Sequence, residues 1–323
     1  MKKILTTVSI LTILLLVVFE ILTESASILN AVNFSFNIWK ENVFPSLFPF
    51  FVLSELLINY GFIELVGEIF KPFMNKVFKV KGVGAFALIM SLISGFPSSA
   101  KYIKELYNKK LINEFEATKL LMFTHFSNPL FILGTISLLF LNNKEVGLLI
   151  LICHYLGNFI IGIIFRNYYP STEENKNISI KKVLTEISNN RIKNNKKFGE
   201  IITTALLNSI NTLILILGVI TMFLVITTII DNNINLNSFH QSILNGFVEM
   251  TQGLKYVSLE EIPLKLKCIL STMIISFGGL SVHMQIISIL SDTKINYLPF
   301  LTARIIHAII SSLLMFFLFD FWI

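Results

Sequence analysis

Charge is scarce in this sequence. Only 14% of its 323 residues are Asp, Glu, Lys or Arg, against about 25% in a typical soluble domain. With 54% hydrophobic residues, a mean hydropathy of +0.73 and several long apolar segments, the chain reads as a multi-spanning, all-α integral membrane protein. Cysteine is nearly absent. Cys153 and Cys268 lie in apolar segments without Cys-x-x-Cys spacing, so they read as small packing residues. The five histidines lack metal-ligand spacing. The sequence contains no His-Glu-x-x-His, no Gly-x-Ser-x-Gly and no phosphate-binding glycine loop ending in lysine. No enzyme, cofactor or metal is therefore expected. Nor is the net charge of +6 a nucleic-acid footprint. Five of those net charges fall between Arg166 and Lys197, where Arg166, Lys176, Lys181, Lys182, Arg191, Lys193, Lys196 and Lys197 face Glu173, Glu174 and Glu186. Basic loops mark the cytoplasmic side of a membrane protein.

Length is also lacking where it matters. The apolar run Gly82 to Ile93 is followed by Ser94-Gly95-Phe96-Pro97-Ser98-Ser99 and a charged stretch, Ala100 to Lys110. Its twelve residues cover roughly 18 Å as helix, too little for a hydrocarbon core of about 30 Å. Both flanks are basic, with Lys76, Lys79 and Lys81 before and Lys101, Lys104, Lys109 and Lys110 after. The pattern predicts a re-entrant hairpin, with Pro97 in the first turn of a new half-helix whose free N–H groups point into a cavity. A second short run, Cys268 to Phe277, ends in Gly278-Gly279-Leu280-Ser281 and His283. Laying Gly95 on Gly278 puts Ser98 on Ser281. Paired, Gly/Pro-interrupted apolar segments point to an inverted-topology repeat of the transporter kind.

Taken in order, Ile4 to Leu22 is an uncleaved first span. Ala31 to Glu41 is an interfacial piece with Trp39 as anchor, and Val43 to Ile58, holding Pro45 and Pro49, crosses inward. After the first hairpin, Phe115 to Leu141 goes out, interrupted by His125, Ser127, Asn128 and Pro129. Val146 to Phe165 returns, and Phe198 to Ile230 goes out again. Pro263 to Leu290 is then an outer hairpin, and Leu298 to Phe319 runs inward to a cytoplasmic C-terminus. The expectation is about six full spans plus two re-entrant segments, eight hydrophobic segments in all.

Four strings carry a family resemblance: Phe44-Pro45-Ser46-Leu47-Phe48-Pro49-Phe50; Ser94-Gly95-Phe96-Pro97-Ser98 with Lys101; Ser127-Asn128-Pro129-Leu130-Phe131; and Glu249-Met250-Thr251-Gln252-Gly253. Together they resemble the YlbJ-type sporulation integral membrane proteins. Those proteins carry the nucleoside recognition, or Gate, domain that is related to spore maturation proteins and concentrative nucleoside transporters. Glycine commonly follows the proline in that family, where this chain has Ser98. The resemblance implies a bacterial cell-membrane protein of an endospore former. It also implies divisions at 1–30 for an anchor, 31–141 for a first Gate-like repeat, 142–197 for a connecting span and basic loop, and 198–323 for a second, inverted repeat.

Ionisable residues inside a bilayer usually face a cavity or a partner. Arg304 and His307 share a helix face, as do His125 and Asn128. The expected midplane site joins Asn128 and Arg304 to the tips Gly95, Pro97, Ser98 and Ser99 and Gly278, Gly279 and Ser281. Glu55, His125, Glu249, His283 and His307 are secondary candidates. The first functional reading is a transporter or gate for a small polar solute, with a coupling ion and self-association left open. The alternative is a scaffold or signalling factor in spore envelope assembly. An intramembrane enzyme on His125, Ser98 and Glu249 ranks last.

Overall fold

The computed structural model describes residues 2–171, 180–194 and 197–323; part of the basic loop, 172–179 and 195–196, lies outside them. Among the described residues all regular structure is helical. α1 (Lys2–Thr23) is an apolar helix with no buried residue in its 5–23 stretch. α2 (Ser25–Ile38), a π-helical turn π1 (Trp39–Val43) and α3 (Phe44–Asn59) then form one unbroken rod. The expected boundary at residue 30 falls inside α2. The expected separation of an interfacial piece from a span at Val43 does not occur. The prolines explain why a rod survives. Pro45 sits in the first turn of α3, and the N–H it lacks is accommodated by the wider i→i+5 turn of π1. Trp39 is half-buried, and its Nε1 donates to the Leu213 carbonyl at 2.9 Å.

α4 (Phe62–Phe73) and π2 (Met74–Phe78) lead to α5 (Gly84–Ser94) and α6 (Ser98–Asn108), which pack against each other. Both ends of this pair lie beside the start of α7 (Glu114–Phe123). Lys81 pairs with Glu116 at 3.0 Å. Lys104 pairs with Asp292 at 2.6 Å, near Asn296, whose N–H donates to Thr118 Oγ1. Lys104 holds the exposed Asp292 carboxyl below its usual range. The chain then breaks over residues 124–128, resumes as a helical turn leading into π3 (Phe131–Phe140), and returns as α8 (Lys144–Ile164). α9 (Ile180–Asn194) packs on α4, and α10 (Phe198–Asn233) runs antiparallel along the α2–α3 rod, with Ser35 opposite Thr221 and Ser27 opposite Asn232.

The second half departs from expectation. α11 (Ser238–Val248) and α12 (Met250–Leu259) fold tightly on each other, closed at the base by Ser238 on Glu260 at 3.1 Å. They cross so closely that a Cβ on Gly253 would stand 2.0 Å from the Gly246 Cα. By contrast, α13 (Leu264–Phe277) and α14 (Gly279–Leu290), expected as the outer hairpin, do not lie side by side. α13 packs on α15 (Tyr297–Trp322) and α8, and α14 on α10, α6 and α11. The start of α13 lies where Lys265 meets Asp320, and the end of α14 lies where Asp292 meets Lys104.

Two cores separate these ends. One joins Phe78, Ile103 and Phe86 with Leu290, Ile295 and Phe300, near Phe165 and Tyr168; the other joins Ile132, Val146 and Leu254 with Cys268 and Met315, near Leu141, Leu264 and Phe319. The first marks the basic end of the bundle, with Lys79, Lys104 and Arg166. The second marks the far end, with Leu141 and the turn to α8. α15 therefore runs from the basic end to the far end.

Among the described residues six helices are long and apolar enough to cross a membrane: Leu5–Thr23, Ser25–Asn59, Lys144–Ile164, Phe198–Asn233, Leu264–Leu290 and Tyr297–Trp322. The number expected for full spans returns with different members. Phe115–Leu141 is too interrupted to count, and Leu264–Leu290 has crossing length.

Candidate functional site

The interruptions converge. A narrow cleft of about 50 Å³, open at its mouth, is bounded by Phe96 and Pro97 from the α5–α6 tip, by Ser127, Asn128 and Phe131 from the break before π3, and by Glu249, Met250 and Thr251 from the α11–α12 tip. Val282 and Gln285 of α14, Asn42, Val43, Ser46 and Leu47 of the rod, and Ile216 and Ile220 of α10 complete it.

Four helices begin at this cleft. Pro97 precedes α6, and the Asn128 Oδ1 accepts from the Leu130 N–H at 2.7 Å at the start of π3. Glu249 caps α12, its Oε2 accepting from Gln252 N at 2.9 Å, and α14 starts at Gly279. Helix N-termini carry free N–H groups and a partial positive charge, so the cleft offers donors. Asn128 Nδ2 also donates to the Ser94 carbonyl at 3.0 Å, tying the first tip to the broken span. Glu249 is 1% exposed and supplies the cleft's one carboxylate. The Ser281 hydroxyl donates to it at 3.3 Å, and among the described residues no basic side chain pairs with it.

The C-terminal ends of the broken helices face away from the cleft. Arg304, 0% exposed, donates to the carbonyls of Met122 and His125, to Asn158 Oδ1 at 2.8 Å and to His307 Nδ1 at 2.9 Å. Asn158 Nδ2 donates to the His125 carbonyl at 2.6 Å. His307 Nε2 donates to the His154 carbonyl at 2.8 Å. His283 Nε2 donates to the Phe277 carbonyl at 3.0 Å, while its Nδ1 accepts from Tyr297. A cation and N–H donors thus meet the negative ends of α7 and α13.

Of the residues expected at the site, Pro97, Asn128 and Glu249 line the cleft. Ser281 reaches it through Glu249. Ser98 is turned back, donating to the Gly95 carbonyl and resting on Ser94. Ser99 lies 3.4 Å from His125 Nδ1, inside the wall. Gly95 has φ +78 and lies so close to Asn128 that a Cβ would stand 2.3 Å from its nitrogen. Gly278 and Gly279 form the corner between α13 and α14. Arg304, His125, His283 and His307 do not line the cleft; Arg304 and His283 donate to carbonyls released by the breaks, and His307 donates to the His154 carbonyl of α8. Glu55 pairs with Lys101 at 2.9 Å, away from the cleft.

The sequence reading missed Asn42, Ser46, Thr251 and Gln285, which line the cleft. It also missed His154, whose Nε2 accepts from the Ser127 N–H at 2.9 Å and whose Nδ1 donates to Ser276 at 2.9 Å. A signal was available. Lys101-Tyr102-Ile103 returns as Lys255-Tyr256-Val257, Phe126 within the first break returns as Phe277, and His154 returns as His307. This register lays the first tip on Glu249 and the Asn128 break on Gly278, in place of Gly95 on Gly278.

The first half of this cleft, from Asn42 to Phe131, falls in residues 41–144, which match the Gate family, described as nucleoside recognition. Fold and match together define a multi-spanning membrane protein with a Gate domain. The sporulation integral membrane protein YlbJ of Bacillus subtilis (strain 168) is 35% identical over 300 residues, covering 85% of this chain and 74% of that protein. The chain belongs to its family. No solved structure matches it.

Proposed function

We propose that the protein is a bacterial cell-membrane transporter or gate for a small polar solute, nucleoside-like in its hydrogen-bonding groups, that acts in spore formation. The observation that carries this reading is the cleft on which four helix starts and a buried carboxylate converge. Such discontinuous helices are how membrane transporters bind solutes inside the bilayer. The donors suit hydroxyl, carbonyl or anionic oxygen, and Glu249 and Gln285 add groups that accept.

The reading includes an inverted repeat in a revised register. α5–α6 is a re-entrant hairpin from the basic end, followed by the broken span α7–π3 and the full span α8. α11–α12 is a hairpin from the far end, followed by the broken span α13–α14 and the full span α15. Each hairpin belongs to the core at its own end. With the basic end cytoplasmic, the chain's last helix finishes outside, the reverse of the sequence expectation. No catalytic step on the solute is part of the proposal.

The test is uptake by purified protein in liposomes against a panel that includes nucleosides. Wild type accumulates at least one polar solute, and Asn128→Ala or Glu249→Gln reduces its uptake at least about tenfold, the loss of about 1.4 kcal/mol of binding. Uptake of nothing, with the protein inserted and folded, contradicts the reading.

A further inference from the structure

A second opening adjoins the cleft. It measures about 230 Å³ and shares Asn42, Ser46 and Phe131 with the cleft. Its other walls are Glu41 and Pro45 on one side and Leu130, Gly134, Thr135 and Leu139 on the other. It runs from the cleft along π3, which ends at the turn to α8, so it points toward the far end of the bundle.

Three independent features mark it. First, both walls are π-helical: π1 on the rod and π3 across from it. Turns of this kind are rare and gather at functional sites. Second, Glu41 is exposed in the middle of a 35-residue apolar rod. A carboxylate at such depth needs water or a partner, and among the described residues no basic side chain pairs with it. Third, the walls touch through a polar contact: Thr135 Oγ1 donates to Asn42 Oδ1 at 2.9 Å. Beside it Gly134 leaves open space where any other residue would project.

We infer that this groove between π1 and π3 is the water-filled access path joining the cleft to the far end of the bundle, with Glu41 at its mouth and the Asn42–Thr135 hydrogen bond across it. The identification of its cargo as a small polar solute rests on the proposed function. The path itself does not, and it is tested without any solute.

Ser46 lines both the cleft and the groove and is half-buried rather than buried, so Ser46→Cys is a reporter at their junction. The native Cys153 and Cys268 are buried and give no background. A membrane-impermeant thiol reagent applied at the far end in sealed vesicles labels Ser46→Cys. Adding Gly134→Trp, which meets no atom within 4 Å at its Cβ, slows labelling about tenfold or more, the effect of a barrier of about 1.4 kcal/mol. Gly218→Trp, equally open but on α10, leaves the rate unchanged. Thr135→Val, which removes the cross-groove hydrogen bond, raises the rate.

Three results overturn the inference: a Ser46→Cys that is not labelled from the far end, labelling indifferent to Gly134→Trp, or a Thr135→Val rate no higher than the parent. Wild-type liposomes that take up nothing while the labelling pattern holds would remove the solute reading and leave the path standing.

Discussion

Interrupting a helix inside a membrane leaves carbonyls without donors, and each must be met by a side chain or water. Arg304 meets two of them, at Met122 and His125, and also holds Asn158 and His307. Its planar fork suits several acceptors at once in a way an ammonium does not. Arg304→Lys therefore acts mainly on stability. Each carbonyl left without a donor costs about 1–3 kcal/mol, so thermal unfolding in detergent shifts down sharply while any variant that folds binds solute nearly as wild type. A variant of normal stability with lost binding would return Arg304 to the cleft. The glycines separate in the same way. Gly95→Ala drives a methyl to 2.3 Å from the Asn128 nitrogen and breaks the tip. Gly278→Ala meets nothing nearer than 3.5 Å, so its cost is the left-handed backbone alone, about 1–2 kcal/mol. Equal losses in the two variants, by thermal unfolding, would contradict this difference. Glu249, Asn128 and Pro97 were readable as site residues because each broke an apolar pattern. Asn42, Ser46 and Gln285 were not, since a single polar side chain on a membrane helix looks the same whether it faces a cleft or a neighbour.

At the scale of elements, the first hairpin was legible because lysines flank both of its arms. The second was not: α11–α12 is short and only moderately apolar, and its tip carries Glu249 in place of glycine and proline. The Gly278-Gly279 corner therefore drew the comparison instead. A glycine pair bends a helix equally well in a hairpin and in a broken span; only the partners at each end decide. Asp292 beside Lys104 and Lys265 beside Asp320 decide it here. Cysteines at 104 and 292 should be joined readily by a short bis-thiol reagent, whereas cysteines at 260 and 293 should not. The reverse outcome would restore Pro263–Leu290 as a hairpin. The rod α2–α3 was hidden for another reason. Pro45 and Pro49 read as breaks, yet π1 and a position in the first turn absorb the first of them.

At the scale of the whole molecule, the class followed from composition, because a chain with this little charge has only the bilayer as solvent. The orientation of each half did not follow, since positive charge fixes a side only where it is abundant, and the second half carries few lysines or arginines. The account's central claim is that two hairpins enter from opposite ends and meet at one cleft. It is tested most directly by sided labelling of single cysteines in intact cells. Cysteines at 81, 109 and 293 should react only from the cytoplasm, and cysteines at 145, 241 and 261 only from outside. If 293 reacts on the same side as 261, or 241 on the same side as 81, the two hairpins do not oppose each other and the account is wrong.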